Sequence, residues 1–563
     1  DAFVRYASAN QEKTAHANIN IATNKFSFLT SLTSSDFGDL QMGKNGGQDS
    51  YLRKEYIDRI GNQDVVVKNT NPYVQKQSGY HQNNLLAKLR YKPSEHWDIQ
   101  YGFHYSKTGN IPRYDRLIEY AAGNLRFAEW NYGPQSWTMQ NLQILNKKAT
   151  TLYNEAKLVF AYQQYEESRI DRRRNNNNQR TQTENVDATS INLDFTKAIN
   201  EGEEIFYGAE WVGNEVGSKA ANLNIANNLI SKVATRYPDG ATWNSFAVYT
   251  SYKKEINEKL NFSSGLRYTS GQTKASFDTS FFRFPFTSSN INNSNLTGNI
   301  GLVFKPSAYL QINALASTGF RMPNIDDIGK VFESAPGNVV VPNNQLKPEY
   351  AWNYEIGVQY NKPEKINYYL SVFTTTLNNA LTNRPFSFKG QDSIIYDGTK
   401  SRVNAIQNVA NAKVWGVQLG WELFFNKHIK WQTKLNWIEG HETDDTKNEQ
   451  VPLRHAPPLF GSSAVQWQKG QFAFELNTQF NGQINSENLA PSEKAKTAIY
   501  AVDKSGKPFC PSWYTINLKA NYNIGKLQIH LGWENITNQR YRPYSSGIVA
   551  AGSNLITSLR YSF

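Results

Sequence analysis

The stretch Asn554-Leu555-Ile556-Thr557-Ser558-Leu559-Arg560-Tyr561-Ser562-Phe563 decides how this chain is read. Successive side chains of a strand point to opposite sides. Leu555, Thr557, Leu559, Tyr561 and Phe563 therefore share one face, and Asn554, Ser558, Arg560 and Ser562 share the other, with Ile556 as the one exception. The first face suits hydrocarbon and the second suits water. Ten residues is also about the length that a tilted strand needs to cross a bilayer.

The same split recurs upstream. Leu527, Ile529, Leu531 and Trp533 oppose Lys526, Gln528, His530 and Gly532; Tyr514, Ile516, Leu518, Ala520 and Tyr522 oppose Thr515, Asn517, Lys519 and Asn521. Trp352, Tyr354, Ile356, Val358 and Tyr360 alternate with Asn353, Glu355, Gly357 and Gln359, and Phe472, Phe474, Leu476 and Phe480 with Glu475, Asn477 and Gln479. Aromatic residues make up 13% of the chain and cluster at the ends of these apolar faces, where a membrane barrel places its girdles. A helical membrane protein needs runs of about 18 apolar residues, and no such run exists here. A mean hydropathy of −0.62 is compatible with a barrel, because half of each strand faces water.

Connector lengths give an independent reading. Tight turns fall at Thr23-Asn24, Lys92-Pro93-Ser94, Asn146-Lys147, Asn200-Glu201-Gly202, Asn257-Glu258, Lys305-Pro306-Ser307, Lys362-Pro363-Glu364, Asn426-Lys427, Lys469-Gly470 and Ile524-Gly525. Between them lie a short outer connector near 9–13 and longer ones near 35–79, 107–135, 171–183, 214–241, 275–293, 320–348, 376–402, 440–454, 484–511 and 538–553. Short turns on one rim and long loops on the other are the pattern of an outer-membrane barrel. The expected fold is all-β: a closed, antiparallel transmembrane β-barrel of about 22 strands, with short periplasmic turns and long extracellular loops. It is expected to occupy residues 1–563 as one body, and a lumen this wide needs a plug or another occupant.

Several segments carry a family resemblance. Gly319-Phe320-Arg321-Met322-Pro323 is followed by Pro342-Asn343-Asn344-Gln345-Leu346-Lys347-Pro348-Glu349 and Asn353-Tyr354-Glu355-Ile356-Gly357. Gln407-Asn408-Val409 leads into Val414-Trp415-Gly416-Val417, and the chain closes with Trp533-Glu534-Asn535-Ile536-Thr537-Asn538 through Phe563. In order and spacing these segments resemble the barrel of TonB-dependent outer-membrane receptors, in a style similar to those of the Bacteroidetes group. The resemblance implies active uptake of a scarce nutrient, a TonB-ExbB-ExbD motor acting through an N-terminal plug, and Phe563 as a signal to the barrel-assembly machinery. It also implies contact with outer-membrane lipid and lipopolysaccharide, and room for a surface lipoprotein. The plug and its TonB-binding segment are expected upstream of Asp1; the alternative is a plugless, receptor-like barrel serving as a structural or assembly subunit of a larger outer-membrane complex. A starch-utilisation type receptor is disfavoured, since those barrels are considerably larger.

None of the Gly-x-Ser-x-Gly, His-Glu-x-x-His, phosphate-loop or dinucleotide patterns occurs in the sequence. The expected protein is a transporter, not an enzyme, with no resident cofactor. Asp326-Asp327 and Asp444-Asp445 read as solvated turns, with a calcium-stabilised loop as the sharper alternative. The single cysteine, Cys510, excludes an intrachain disulfide and a cysteine metal cluster.

Cargo is read from the outer connectors. A cationic, aromatic funnel would concentrate an anionic ferric chelate, and its candidate contacts are Arg113, Tyr114, Arg116, Trp130, Tyr132, Arg321 and Phe332. Haem needs an axial ligand such as histidine or tyrosine. His81, His441 and His455 lie near the outer rim, whereas the segment between Pro323 and Asn343 has no histidine. An iron chelate of the siderophore type therefore ranks first as cargo, with haem or cobalamin next. Arg172-Arg173-Arg174 reads as an outer loop tip, solvated or against lipopolysaccharide phosphate; nucleic acid is excluded by the fold and its compartment.

Overall fold

The computed structural model describes the chain except residues 282–285, 330, 336, 397, 409–410, 445–448, 495 and 497, and except the side chains of 332–335 and 444. Among the described residues the main sheet has 26 strands. Four short ones, Ile111–Pro112, Phe127–Tyr132, Ile230–Lys232 and Glu449–Pro452, belong to outer connectors. The other 22 run in sequence order around a closed antiparallel barrel. Closure is made by Ala2–Ala7 against the last strand, with Ala2 opposite Tyr561, Val4 opposite Leu559 and Ala7 opposite Ile556. No described helix is long and apolar enough to cross a membrane.

The alternation places apolar side chains outside. Leu555, Leu559 and Tyr561 stay exposed on the outer face, while Asn554 is buried on the inner one. Ile556, the exception to the pattern, also turns inward. Its neighbours across the sheet are Ala7 and Gly532, and their small side chains leave room for it. Two aromatic belts flank the apolar band. Phe26–Tyr91 and Phe472–Tyr522 stack at 4.5 and 4.2 Å beside periplasmic turns; Trp415–Trp437, at 4.7 Å, lies toward the outer rim.

The inner wall is polar and interlocked. Arg267 pairs with Glu210, which also accepts from Asn192; Lys430 pairs with Glu422 at 2.8 Å; Asn517 donates to Asn477 at 2.8 Å. Gly208 shows how tightly such side chains fit. The Tyr249 phenol crosses it to reach Asp194, and a Cβ on Gly208 would stand 2.7 Å from that hydroxyl and 2.5 Å from the Leu193 carbonyl.

Most turns fall where the sequence places them, for example 23–25, 201–202 and 363–365. The turn expected at Asn146-Lys147 instead runs from 147 to 154 and is closed by Thr150 and Tyr153. Two outer connectors differ more. Strands Glu155–Arg173, Asn178–Asn200 and Glu203–Asn224 continue far above the membrane band, so the expected loop 171–183 shrinks to 174–177 and the loop at 214–241 begins at 225. Strands of 23 and 22 residues are about twice what a crossing requires. Their upper halves carry only scattered apolar residues such as Val186 and Val216, which hides them from a reading based on apolar alternation. Arg172 is consequently no loop tip: it is buried and holds Asp64 at 2.7 Å.

Connectors 322–348 and 379–410 build a separate five-stranded sheet, in which Asn338–Val341 runs parallel to Arg402–Ala405. Val339, Val341, Val403 and Ala405 form its core. The lumen-wall packing makes one direct prediction. Gly208→Val should displace Tyr249 from Asp194 and lower barrel stability by about 1–3 kcal/mol; thermal unfolding in detergent should show an earlier transition, and an unchanged midpoint would refute the packing described.

Candidate functional site

The motif residues of the outer rim converge on one another. Strand Leu310–Arg321 ends in Arg321, whose guanidinium reaches Asp327 at 2.7 and 2.8 Å and Glu349 at 2.9 Å. Asn324 and Asp327 cap the short helix Ile325–Gly329 reciprocally, each side chain accepting from the other's backbone amide at 3.0 Å. Met322 packs where a Cβ on Gly271 would come within 2.0 Å of its methyl, and the Thr273 hydroxyl donates to the Pro323 carbonyl at 3.0 Å. The connector is thereby folded back onto the inner wall, where Ile325, Ile328 and Leu346 join Val216, Ala241 and Ile291 in one core cluster.

The later motifs lock onto the same point. Glu349 also accepts from the Leu381 amide at 2.6 Å. Asn408 accepts from the Lys347 amide and donates to its carbonyl, both at 2.8 Å, and Asn343 donates to the Ile406 carbonyl at 2.8 Å. Of the pair Asp326-Asp327, the structure corrects the solvated-turn reading for Asp327, which is buried against Arg321; Asp326 is half-exposed and accepts from the Tyr237 hydroxyl at 2.7 Å. Asp445 lies outside the described residues, as does the side chain of Asp444.

A second cluster lies in connector 109–135. Arg113 grips Asp115 at 2.5 and 2.8 Å, donates to the Tyr132 hydroxyl, and stands 4.8 and 4.9 Å from the Trp130 and Tyr132 ring centres. Burial alone would raise the Asp115 carboxyl, but the Arg113 contacts hold it below the usual carboxylate range. Arg113, Trp130 and Tyr132 thus come together as the sequence suggests, although the cation is already neutralised. Arg116 is taken by Glu119 at 2.7 Å. Tyr114 is 3% exposed, so it does not present its ring to the vestibule. The Phe332 side chain lies outside the described residues.

The three rim histidines do not form a set. His81 lies across Gly109, whose Cβ position is 2.3 Å from the ring; His441 is 3.8 Å from Glu439; His455 is 3.5 Å from the fully buried Glu493. Burial and the Arg454 cation push His455 below its ordinary value despite Glu493. No three His, Cys, Asp or Glu side chains meet as a metal set among the described residues. Sequence reasoning missed Thr273, Glu493 and two buried arginines, Arg53 and Arg542. No motif surrounds them, and only the folded connectors show their burial.

A closed barrel with a polar lumen, lipid-facing aromatic belts and outer connectors tied over one rim defines a transmembrane protein of the outer-membrane type. Residues 14–536 match the family described as TonB dependent receptor-like, beta-barrel, and the chain belongs to that family. It resides in the outer membrane. Transferrin-binding protein A of Haemophilus influenzae is 28% identical over 329 residues, covering 54% of this chain and 34% of that protein. Hemoglobin-haptoglobin utilization protein B of Neisseria meningitidis is 23% identical over 315 residues, covering 52% and 38%. The matched stretches span only a little over a third of these relatives' own length. Among solved structures, Copper transporter OprC superposes with a TM-score of 0.77 at 12% identity, over 100% of this chain and 82% of that one, a likeness of fold.

Two outcomes follow from this geometry. Arg321→Ala should leave the barrel closed yet loosen the Ile325–Gly329 segment by about 1–3 kcal/mol, seen as faster amide hydrogen exchange there and not in the membrane strands. The Arg113–Asp115 contact should stabilise its connector fully above pH ~4, the ordinary carboxylate value. It should fade as pH falls through the lowered Asp115 value. The difference in connector protection between the parent chain and Asp115→Asn should therefore vanish in acid; a difference that grows in acid would contradict it.

Proposed function

We propose that this barrel takes up a scarce iron compound across the outer membrane, closed by a plug domain of the same precursor and opened when the TonB-ExbB-ExbD motor pulls on that plug. The observation that carries the reading is the closed ring of 22 strands around a polar lumen, a width at which outer-membrane transporters hold a plug. Its outer mouth is tied by Arg321, Glu349, Lys347 and Asn408, so the connectors that would receive cargo stand on a fixed base.

A ferric chelate of the siderophore type is the first cargo. The vestibule connectors combine Arg113, Trp130 and Tyr132 in one cation–aromatic cluster, and an anionic chelate would contact its outer edge. Ion pairs at Arg113, Arg116 and Arg321 support a reading in which these three cations hold the connectors and recognition falls to the aromatic edges and neighbouring polar groups. Haem is the second reading, prompted by His455 at left-handed φ of 65° beside Glu493 and by the haemoglobin-haptoglobin relative. Apolar strand faces would meet membrane lipid and lipopolysaccharide, and Phe563 would be read by the barrel-assembly machinery.

Deleting the gene and testing growth on single iron sources separates these readings. Growth on one ferric chelate should be lost, and restored by the intact gene only when the TonB motor works. Unchanged growth on every iron source, or a precursor gene without a plug, would favour a scaffold barrel instead. Titration with haemin should give no axial-histidine spectrum that disappears on replacing His81, His441 or His455; such a spectrum would move haem to first place.

A further inference from the structure

Four side chains meet where the outer connectors 38–79, 109–135, 482–512 and 535–553 pack together. Tyr51, Arg53, Tyr114 and Arg542 are 4%, 3%, 3% and 6% exposed. Arg53 lies 5.5 Å over the Tyr114 ring and Arg542 lies 4.2 Å over the Tyr51 ring. The connectors touch directly at this point, since a Cβ on Gly547 would meet the Asp115 Cβ at 2.3 Å. Arg53 donates to the Leu117 carbonyl at 2.8 Å, and Arg542 to the carbonyls of Ala498 and Ile499 at 2.6 and 3.0 Å.

Neither guanidinium has a carboxylate partner among the described residues. The nearby acids are committed elsewhere: Asp115 to Arg113, Glu119 to Arg116, Glu493 to Tyr544 and Ser545, Asp49 to Arg540, Glu55 to Tyr120 and Asp39 to Lys76. The Nε groups of Arg53 and Arg542 and the Tyr114 hydroxyl are buried without a hydrogen-bond partner. Buried charges are normally paired, and buried polar groups are normally bonded. A water would satisfy the donors but leave two positive charges uncompensated. Burial pushes the Tyr114 hydroxyl up to about 12, so it remains a donor at neutral pH.

We propose that Arg53, Arg542 and Tyr114, with the Tyr51 ring beneath Arg542, form a binding site for a tetrahedral oxyanion of the phosphate or sulfate class. Planar guanidinium groups suit such an anion, and donors arriving from separate connectors suit a ligand with several acceptor oxygens. The bound anion would tie the first, second and last long connectors together. It is a structural ligand of the outer face, distinct from cargo in the lumen.

The test uses the chain in detergent, in chloride buffer, with inorganic phosphate and phenyl phosphate as probes. Calorimetry should show one phosphate bound per chain, and saturating phosphate should raise the unfolding midpoint by about 2 °C or more. Arg542→Met should abolish both effects, and Tyr114→Phe should weaken binding about tenfold. Should Arg542→Met fail to fold, Tyr114→Phe, which deletes a single oxygen, carries the comparison. Binding of phosphate alone would support an enclosed site for the free ion, and binding of both probes one that opens to a phosphate carried on a larger molecule. Failure of both probes to bind the folded chain, or binding unaltered in Tyr114→Phe, would overturn the proposal.

Discussion

Lipid tails offer no hydrogen bonds, so every backbone amide and carbonyl in the membrane band must find its partner within the protein. In this chain that requirement is met only when the strand Ala2–Ala7 pairs with Asn554–Tyr561. An open sheet would leave an unpaired row at each edge. Closure then dictates the rest: one face of every strand turned to lipid, the other to a polar lumen, and the connectors sorted into short turns on one rim and long segments on the other. Asp1 and Arg560, paired at 2.5 Å on the inner face, add a charge contact across the same seam.

Above the membrane the problem changes. Connectors of up to some tens of residues must be ordered without a hydrocarbon solvent to align them, and the chain uses buried ion pairs and asparagine clamps for this. Arg321 serves two carboxylates, Asn408 clamps both backbone groups of Lys347, and Asn535 donates to the carbonyls of Gln539 and Ala551. The Arg321–Glu349 and Asn408–Lys347 contacts join segments 28 and 61 positions apart, so these connectors are tied to one another and are not a fringe of independent loops. The family motifs at 319–323, 342–349 and 407–408 owe their spacing to this junction, which makes them structural before they are anything to do with cargo.

The barrel was legible in the sequence because lipid imposes a strict period on each strand, and turn residues such as Asn200-Glu201-Gly202 mark where that period stops. Legibility ended where lipid ended. The upper halves of strands Glu155–Arg173, Asn178–Asn200 and Glu203–Asn224 keep their pairing but lose the regular apolar face, so Arg172 reads as a loop tip in the sequence although it is a buried partner of Asp64. Arg113, Trp130 and Tyr132 are legible as candidates because cationic and aromatic residues recur within one connector. That Asp115 already neutralises Arg113 depends on how the connector folds, which composition does not reveal. Arg53 and Arg542, 489 positions apart in numbering, become neighbours of the same tyrosine only through the closed ring.

The seam itself offers the most direct test. With Cys510 replaced by serine, Val4→Cys and Leu559→Cys should be joined by a short thiol crosslinker in outer-membrane preparations, because the two positions face each other in register on the lipid side. Val4→Cys with Leu555→Cys, four residues out of register, should not be joined. Efficient crosslinking of the in-register pair alone is the predicted result; no crosslink at that pair, or equal crosslinking of both, would contradict a closed barrel of this register.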